Sequence, residues 1–121
     1  MKKYLLILGF TLVCAYLAPA PLDSAPASRV GDFQACPLIC SPSGVPHVGG
    51  PILSGSPNVI ICGMPAARVG DPAHCNCGGN PAIASGSATV LINGLPAARL
   101  GDVTTHGGTI QQGCGTVLIG P

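Results

Sequence analysis

Charged and aromatic side chains are scarce in this sequence, and their scarcity excludes several classes of protein. The 121 residues include no tryptophan and no glutamate, and only 7% of them are charged, against about 25% in an ordinary globular domain. Five basic residues and a formal net charge of +1 cannot form the basic patch that nucleic-acid binding requires. A content of 47% hydrophobic residues excludes a disordered chain, because disorder goes with low hydrophobicity and high net charge.

Glycine, proline and cysteine are abundant instead, with 18, 13 and 7 residues respectively. The glycines show no three-residue period, which excludes a collagen triple helix. A chain of this length favours one domain, whose modest core would benefit from additional cross-links. Composition therefore predicts a small, turn-rich domain with an unusual supply of thiols.

The first 22 residues differ from the rest of the chain. Met1-Lys2-Lys3 precedes an uncharged run from Tyr4 to Ala20, which ends in small residues. This pattern is typical of a secretory signal peptide, and an uncleaved membrane anchor or a different start site are the alternatives. We therefore divide the chain into a leader, residues 1–22, and a domain, residues 23–121. Any association with a membrane is expected through the leader.

One seven-residue motif occurs three times, and each copy is followed by the same landmarks. The motif reads Pro-Ala-Ala/Ser-Arg-Val/Leu-Gly-Asp and occupies residues 26–32, 65–71 and 96–102. After each copy come a Gly-Gly pair, an isoleucine (Ile52, Ile83 or Ile110), a glycine and a short aliphatic run. Units of this size cannot bury a core alone. The pattern predicts three repeats packed around a pseudo-threefold axis.

The aliphatic runs indicate the type of secondary structure. Val-Ile-Ile and Val-Leu-Ile triplets bounded by glycine and asparagine are typical of short β-strands. Cys62-Gly63 and Asn93-Gly94 are placed to form hairpin turns before the next motif. Frequent proline and glycine exclude long helices beyond residue 22. We expect an all-β fold of short β-hairpins arranged about the pseudo-threefold axis.

Beyond Asp23, all of the charge belongs to the repeated motif. Each copy contains one arginine and one aspartate, three positions apart. Such a pair could be solvated, or in principle catalytic, but confinement of the charge to one motif favours a structural role. We expect each aspartate to accept backbone N–H groups at a turn, and each arginine to brace that turn or a neighbouring repeat.

The motif resembles that of the PAAR-repeat proteins. Pro65-Ala66-Ala67-Arg68 and Pro96-Ala97-Ala98-Arg99 match it, and Pro26-Ala27-Ser28-Arg29 differs at one position. The resemblance, which covers about residues 26–121, implies a cone of β-hairpins with a metal ion near its point. It also implies a place on the blunt end of a trimeric VgrG-type spike, in type VI secretion or a related contractile injection system. Any effector cargo would then bind as a separate chain.

Candidate metal ligands follow from the repeat. Counting four residues beyond each motif aspartate reaches Cys36, Cys75 and His106, and equivalent positions converge near a threefold axis. His47, from the long first loop, can supply a fourth ligand. Two thiolates and two imidazoles suit a closed, structural tetrahedral zinc site.

This ligand set departs from the three histidines and one cysteine usual in PAAR-like sites. Many relatives carry a histidine where this chain has Gln34, so two alternatives stay open: His74 in place of Cys75, or Cys77 in place of Cys36. The thiols could instead form a disulfide framework. We favour an interpretation in which they mainly supply ligands, with Cys62 and Cys114 as small buried residues.

An enzyme is not expected. The sequence has no glutamate and no G-x-S-x-G element, and a metal-bound thiolate in a closed four-ligand site is structural. The sequence and the resemblance together predict a non-enzymatic spike-tip protein with structural zinc, located outside the cell as part of the spike. The alternative is an exported, free-standing metal-binding protein of the cell envelope, which the leader favours. A chelator, or His106→Ala, is expected to collapse the fold because zinc would replace part of the core.

Overall fold

The structure, a computed structural model, describes residues 24–121, which form short antiparallel strands and no helix. No helix in this range is therefore long and apolar enough to cross a membrane. The predicted leader lies outside the described residues. The all-β prediction is confirmed. The strands are β1 (Ala25–Ala27), β2 (Phe33–Ile39), β3 (Pro46–Pro51), β4 (Ile60–Ile61), β5 (Met64–Pro65), β6 (Leu91–Ile92), β7 (Leu95–Pro96), β8 (Thr109–Ile110) and β9 (Cys114–Ile119).

Three backbone hydrogen bonds close the repeated motifs into a ring. The N–H of Ser28 donates to the carbonyl of Ala98, over 3.0 Å. Ala98 donates to Ala67 over 3.0 Å, and Ala67 donates back to Ser28 over 2.9 Å. All three residues are buried at this closure, where only small side chains fit. The ring confirms the predicted threefold arrangement and explains why the motif carries alanine or serine at this position.

Three short antiparallel strand pairs extend from the ring, and two of them are hairpins. Strand β4 pairs with β5, and β6 pairs with β7. Cys62-Gly63 and Asn93-Gly94 form their turns with positive φ at both residues, as the tight primed turns of hairpins require. The third pair joins the two ends of the domain, because β9 pairs with β1, with Leu118 opposite Pro26. Pairing of the last strand with the first completes the ring.

The core consists of two apolar layers. The hairpin layer contains Ile61, Ile92, Ile119, Ala27, Ala66, Ala97 and Cys114. The loop-side layer contains Ile52, Ile83, Ile110, Ala67, Ala73 and Ala98. Each layer has one isoleucine from every repeat. The repeated isoleucine of the sequence pattern is therefore a core position, and its three copies pack together.

Close packing requires the glycine that lies three residues after each isoleucine of the loop-side layer. A Cβ atom at Gly55, Gly86 or Gly113 would lie less than 3.0 Å from the carbonyl oxygen of a motif alanine. Such an approach to backbone atoms cannot be relieved by moving a side chain. The recurrence of glycine at this position thus has one steric cause in all three repeats.

Each arginine–aspartate pair braces its own turn. Asp32 accepts hydrogen bonds from the backbone N–H of Arg29 over 2.8 Å, from its Nε over 3.1 Å and from its terminal nitrogen over 2.9 Å. The same three bonds recur in the other two repeats. Arg68 also donates to Asn93 of the following hairpin over 3.1 Å. The predicted structural role of these charges is confirmed.

Four of the cysteines form two disulfides, Cys62–Cys114 and Cys40–Cys77. The interpretation of Cys62 and Cys114 as simply small buried residues is therefore wrong. Ring closure brings β9 against the turn between β4 and β5, so residues separated by 52 positions lie with their Cα atoms 6.3 Å apart.

The Cys62–Cys114 bond replaces a hydrogen bond found between the other repeats. Ser56 Oγ donates to Asn93 Oδ1 over 2.6 Å, and Ser87 Oγ donates to the carbonyl of Pro121 over 3.0 Å. Cys114 follows its isoleucine by four residues, as Ser56 and Ser87 follow theirs, and Cys62 occupies the turn position of Asn93. The disulfide thus cross-links the third copy of one repeated interface.

Candidate metal centre

Three ligand loops, residues 33–51, 72–82 and 103–109, connect each motif aspartate to its repeated isoleucine. A single backbone hydrogen bond joins the two ends of each loop. The isoleucine N–H donates it to the aspartate carbonyl, over 2.9 Å in every repeat. In the first loop, β2 and β3 form a hairpin, and β8 from the third loop pairs along β2. The loops therefore gather at the side of the ring that carries the loop-side layer.

A side-chain hydrogen bond and a disulfide help to tie the second ligand loop to the first. Gln34 is fully buried, and its Nε2 donates to the carbonyl of His74 over 2.8 Å. The Cys40–Cys77 disulfide joins the same two loops, with Cα atoms 6.0 Å apart. The Gln34 side chain thus positions the backbone beside Cys75.

The structure brings together the four side chains that the repeat spacing singled out. Cys36, His47 and Cys75 are buried and His106 is half-buried, and their ligand atoms all lie within 4.8 Å of one another. Nδ1 of His47 is 3.4 Å from the Cys36 sulfur and 3.0 Å from the Cys75 sulfur. Nδ1 of His106 is 3.6 Å from the Cys36 sulfur. Each imidazole therefore presents Nδ1 to the cluster.

These distances suit a tetrahedral zinc ion. Zinc–sulfur bonds of about 2.3 Å and zinc–nitrogen bonds of about 2.0–2.1 Å place neighbouring sulfur and nitrogen ligands roughly 3.5 Å apart. The three sulfur–nitrogen distances, 3.4, 3.0 and 3.6 Å, lie close to that separation. Two thiolates also balance the charge of a divalent cation. The residues present thus fit zinc, and no fifth donor is needed to close the site.

Neither alternative ligand joins this cluster. Cys77 forms a disulfide with Cys40, so its sulfur is not a thiolate that could bind a metal. His74 is exposed, and its ring packs against the backbone at Gly50, where an added Cβ would lie 2.8 Å from Cδ2. Cys36 and Cys75 are the free thiols of the described residues.

Burial raises the pKa of the Cys36 thiol, and the neighbouring Cys75 raises it further, while the backbone at Leu38 lowers it. The raised pKa means that the metal-free cluster holds Cys36 in its neutral, protonated form around pH 7. Metal ligation requires the thiolate. Binding of zinc therefore has to displace the Cys36 proton.

We predict that zinc affinity rises with pH. Below the pKa of Cys36, each displaced proton contributes about a tenfold gain in apparent affinity per pH unit. Calorimetric zinc titrations in two buffers of different ionisation enthalpy, at several pH values, measure the number of protons released. An affinity that is flat between pH 6 and 8 would show that Cys36 is not a ligand.

A family-model comparison matches this chain. The model described as the PAAR motif covers residues 43–120, which is well over half of the sequence. The chain belongs to the PAAR motif family. Membership confirms the resemblance argued from Pro65-Ala66-Ala67-Arg68 and its two counterparts. A search of curated proteins finds no significant match to the chain.

The matched region of this PAAR protein contains three of the four clustered side chains. His47, Cys75 and His106 lie within residues 43–120, whereas Cys36 and the first motif copy, residues 26–32, precede them. The structure nevertheless places that first copy in the closed ring, as the equal of the other two. The family pattern and the threefold geometry therefore extend over different lengths of the chain.

Proposed function

We propose that this PAAR protein is the tip of a contractile injection spike, of the type VI secretion kind or a related one. It would cap the blunt end of a trimeric VgrG-type spike and would reach the outside of the cell as part of that spike. Family membership supports the proposal, together with the closed threefold ring and a Cys–His cluster able to hold a metal.

The observation that carries the proposal is a threefold set of exposed aliphatic side chains on the hairpins. Ile60, Leu91 and Leu118 occupy equivalent positions and are 58%, 61% and 63% exposed. Met64 and Leu95 add further exposed apolar surface on β5 and β7. Exposed apolar groups that repeat with the symmetry of the fold indicate an interaction surface. A trimeric partner would present three matching patches to it.

The metal would act as a structural cross-link. Cys36, His47, Cys75 and His106 would hold zinc, with ligands from all three loops. A bound zinc supplies Lewis-acid charge, but a site closed by four protein ligands has no position for a substrate. The proposed function is accordingly mechanical and non-enzymatic: the cluster joins the loops, and the ring holds the hairpin surface against the spike. Effector cargo would be carried by a separate chain.

Leu91→Asp tests the proposed surface. A carboxylate buried against an apolar partner without a counter-charge should weaken binding to the trimeric spike protein by at least about tenfold. Val45→Asp is the matched control, because Val45 is a similarly exposed aliphatic residue, 52% exposed, on the first ligand loop. Binding measured by calorimetry should be reduced for Leu91→Asp alone. Equal losses for both variants, or a loss for Val45→Asp only, would place the spike elsewhere on the molecule.

A second candidate is an exported, free-standing metal-binding protein of the cell envelope. Two disulfides between distant cysteines favour it, since such bonds are typical of oxidising compartments. The signal-peptide pattern of residues 1–22 points to the same route. Mass spectrometry of the mature N-terminus distinguishes the two: cleavage near residue 20 supports export, and an intact leader supports loading from the cytoplasm.

A further inference from the structure

His47 lies between two pairs of cysteines, of which the proposed metal centre uses only one. Its Nδ1 faces the sulfurs of Cys36 and Cys75. The sulfurs of Cys40 and Cys77 also lie within 4.8 Å of each other and of a ring nitrogen of His47. These two sulfurs are joined in the disulfide, so they are not free thiols beside the centre.

The second nitrogen of His47 faces the chain that carries Cys77. A Cβ atom added to Gly78, the residue after Cys77, would lie 3.2 Å from Cε1 of His47 and 3.7 Å from Nε2. The imidazole edge away from the cluster is therefore packed against this segment. The ring edge that carries Nε2 thus adjoins the segment that carries Cys77.

We propose that reduction of the Cys40–Cys77 disulfide opens a second metal site made of Cys40, Cys77 and Nε2 of His47. The proposal rests on the four-ligand centre proposed above and adds a site beside it. Two thiolates and an imidazole nitrogen favour zinc or a similar soft divalent cation. A water molecule would complete the tetrahedron, which makes this site open where the first is closed.

The reduction balances with a simple reductant. The disulfide takes up two electrons and two protons to give two thiols, and a cellular dithiol that supplies them becomes a disulfide itself. When the second metal binds, the two thiol protons and the Nε2 proton of His47 pass to solvent. The imidazole then bridges the two metals through its two nitrogens.

The two disulfides differ in whether a metal-binding side chain lies beside the thiols that reduction would form. Cys40 and Cys77 are half-buried, so a reductant can reach them, and a histidine stands beside them. The sulfurs of Cys62 and Cys114 have the hydroxyl of Thr116 as a neighbour, and in residues 24–121 they join no cluster of metal-binding side chains. The second site is therefore specific to the disulfide beside His47.

Metal counting on the full chain tests the proposal. Oxidised protein is loaded with zinc, then treated anaerobically with a water-soluble phosphine, which gives two electrons to the disulfide and takes oxygen from water to become the phosphine oxide. Native mass spectrometry should show one zinc per oxidised chain and two per reduced chain. Cys40→Ser/Cys77→Ser should stay at one zinc under reduction. Cys62→Ser/Cys114→Ser is the matched control and should still gain the second.

Each outcome bears on one of the two sites. One zinc in both states of the unmodified chain overturns the second site and leaves the first intact, whereas no zinc in the oxidised chain argues against the first. A second zinc that persists in reduced Cys40→Ser/Cys77→Ser also overturns the proposal. Cobalt provides an independent readout. Through a shared imidazole, the second equivalent should couple to the first and weaken its paramagnetic resonance signal, and an undiminished signal overturns the sharing of His47.

Discussion

Removal of the metal from the oxidised protein should release the three ligand loops while the hairpin layer stays folded. Coordination joins loops of which Ala73 alone belongs to either apolar layer, and structural zinc supplies about 10–16 kcal/mol in peptides that depend on it. The hairpin layer has its own isoleucine cluster and the Cys62–Cys114 disulfide. We therefore expect the loop amides to exchange hydrogen at least about a hundredfold faster after chelation, with little change in β4 to β7.

This expectation is narrower than the complete collapse that the sequence suggested. The two buried layers give the domain support that is independent of the metal. Two disulfides, whose pairing the sequence pattern did not predict, add to it. His106→Ala should reproduce the exchange pattern of the chelated protein. His74→Ala is the matched control, because His74 is an exposed histidine of a ligand loop outside the cluster, and it should behave as the unmodified chain. Identical exchange with and without metal would show that the cluster is not a structural metal site.

Loss of one motif aspartate should strongly destabilise the whole ring. Asp71→Ala removes three hydrogen bonds from Arg68 and leaves that guanidinium, with its side chain only 15% exposed, without its counter-charge. Breaking one side of a largely buried pair costs about 3 kcal/mol or more, which lowers Tm by more than about 10 °C in a domain of this size. Thermal unfolding of the metal-loaded protein measures the change.

Two further variants establish the cause of this effect. Asp71→Asn retains an acceptor for the backbone N–H of Arg68 and should lose less stability than Asp71→Ala. Arg68→Ala/Asp71→Ala removes both charges, so its loss should be smaller than the sum of the two single losses. A change in Tm of under two degrees for Asp71→Ala would mean that the pair is an ordinary solvated one.

Much of the fold could be predicted from the sequence because it is a repeat. Three copies of one motif imply three equivalent environments, so that a regular position such as Ile52, Ile83 or Ile110 is expected to form one layer of a shared core. The same equivalence identified Cys36, Cys75 and His106 as side chains that would meet. Zinc binding by them stays a prediction until the metal is measured.

The disulfides show where prediction from the sequence failed. Spacing along the chain gave no reason to join Cys62 to Cys114, but their places in the repeat carried a signal. Cys62 stands at the turn position of Asn93, and Cys114 at the position of Ser56, and Ser56 and Asn93 are hydrogen-bonded in the structure. Comparison of the repeats at these positions would have indicated a contact.

By itself, the sequence determined the repeat, its symmetry and the positions that repeat with it. These follow from local residue types, since glycine, proline and small side chains restrict the backbone in the same way in each copy. Only the tertiary structure decided what the non-repeating residues do. Which cysteines pair, and which lie beside His47, depends on how loops of unequal length meet at the axis. The few charges of the domain belong to the repeated motif, whereas the role of each cysteine depends on which residues the fold brings beside it.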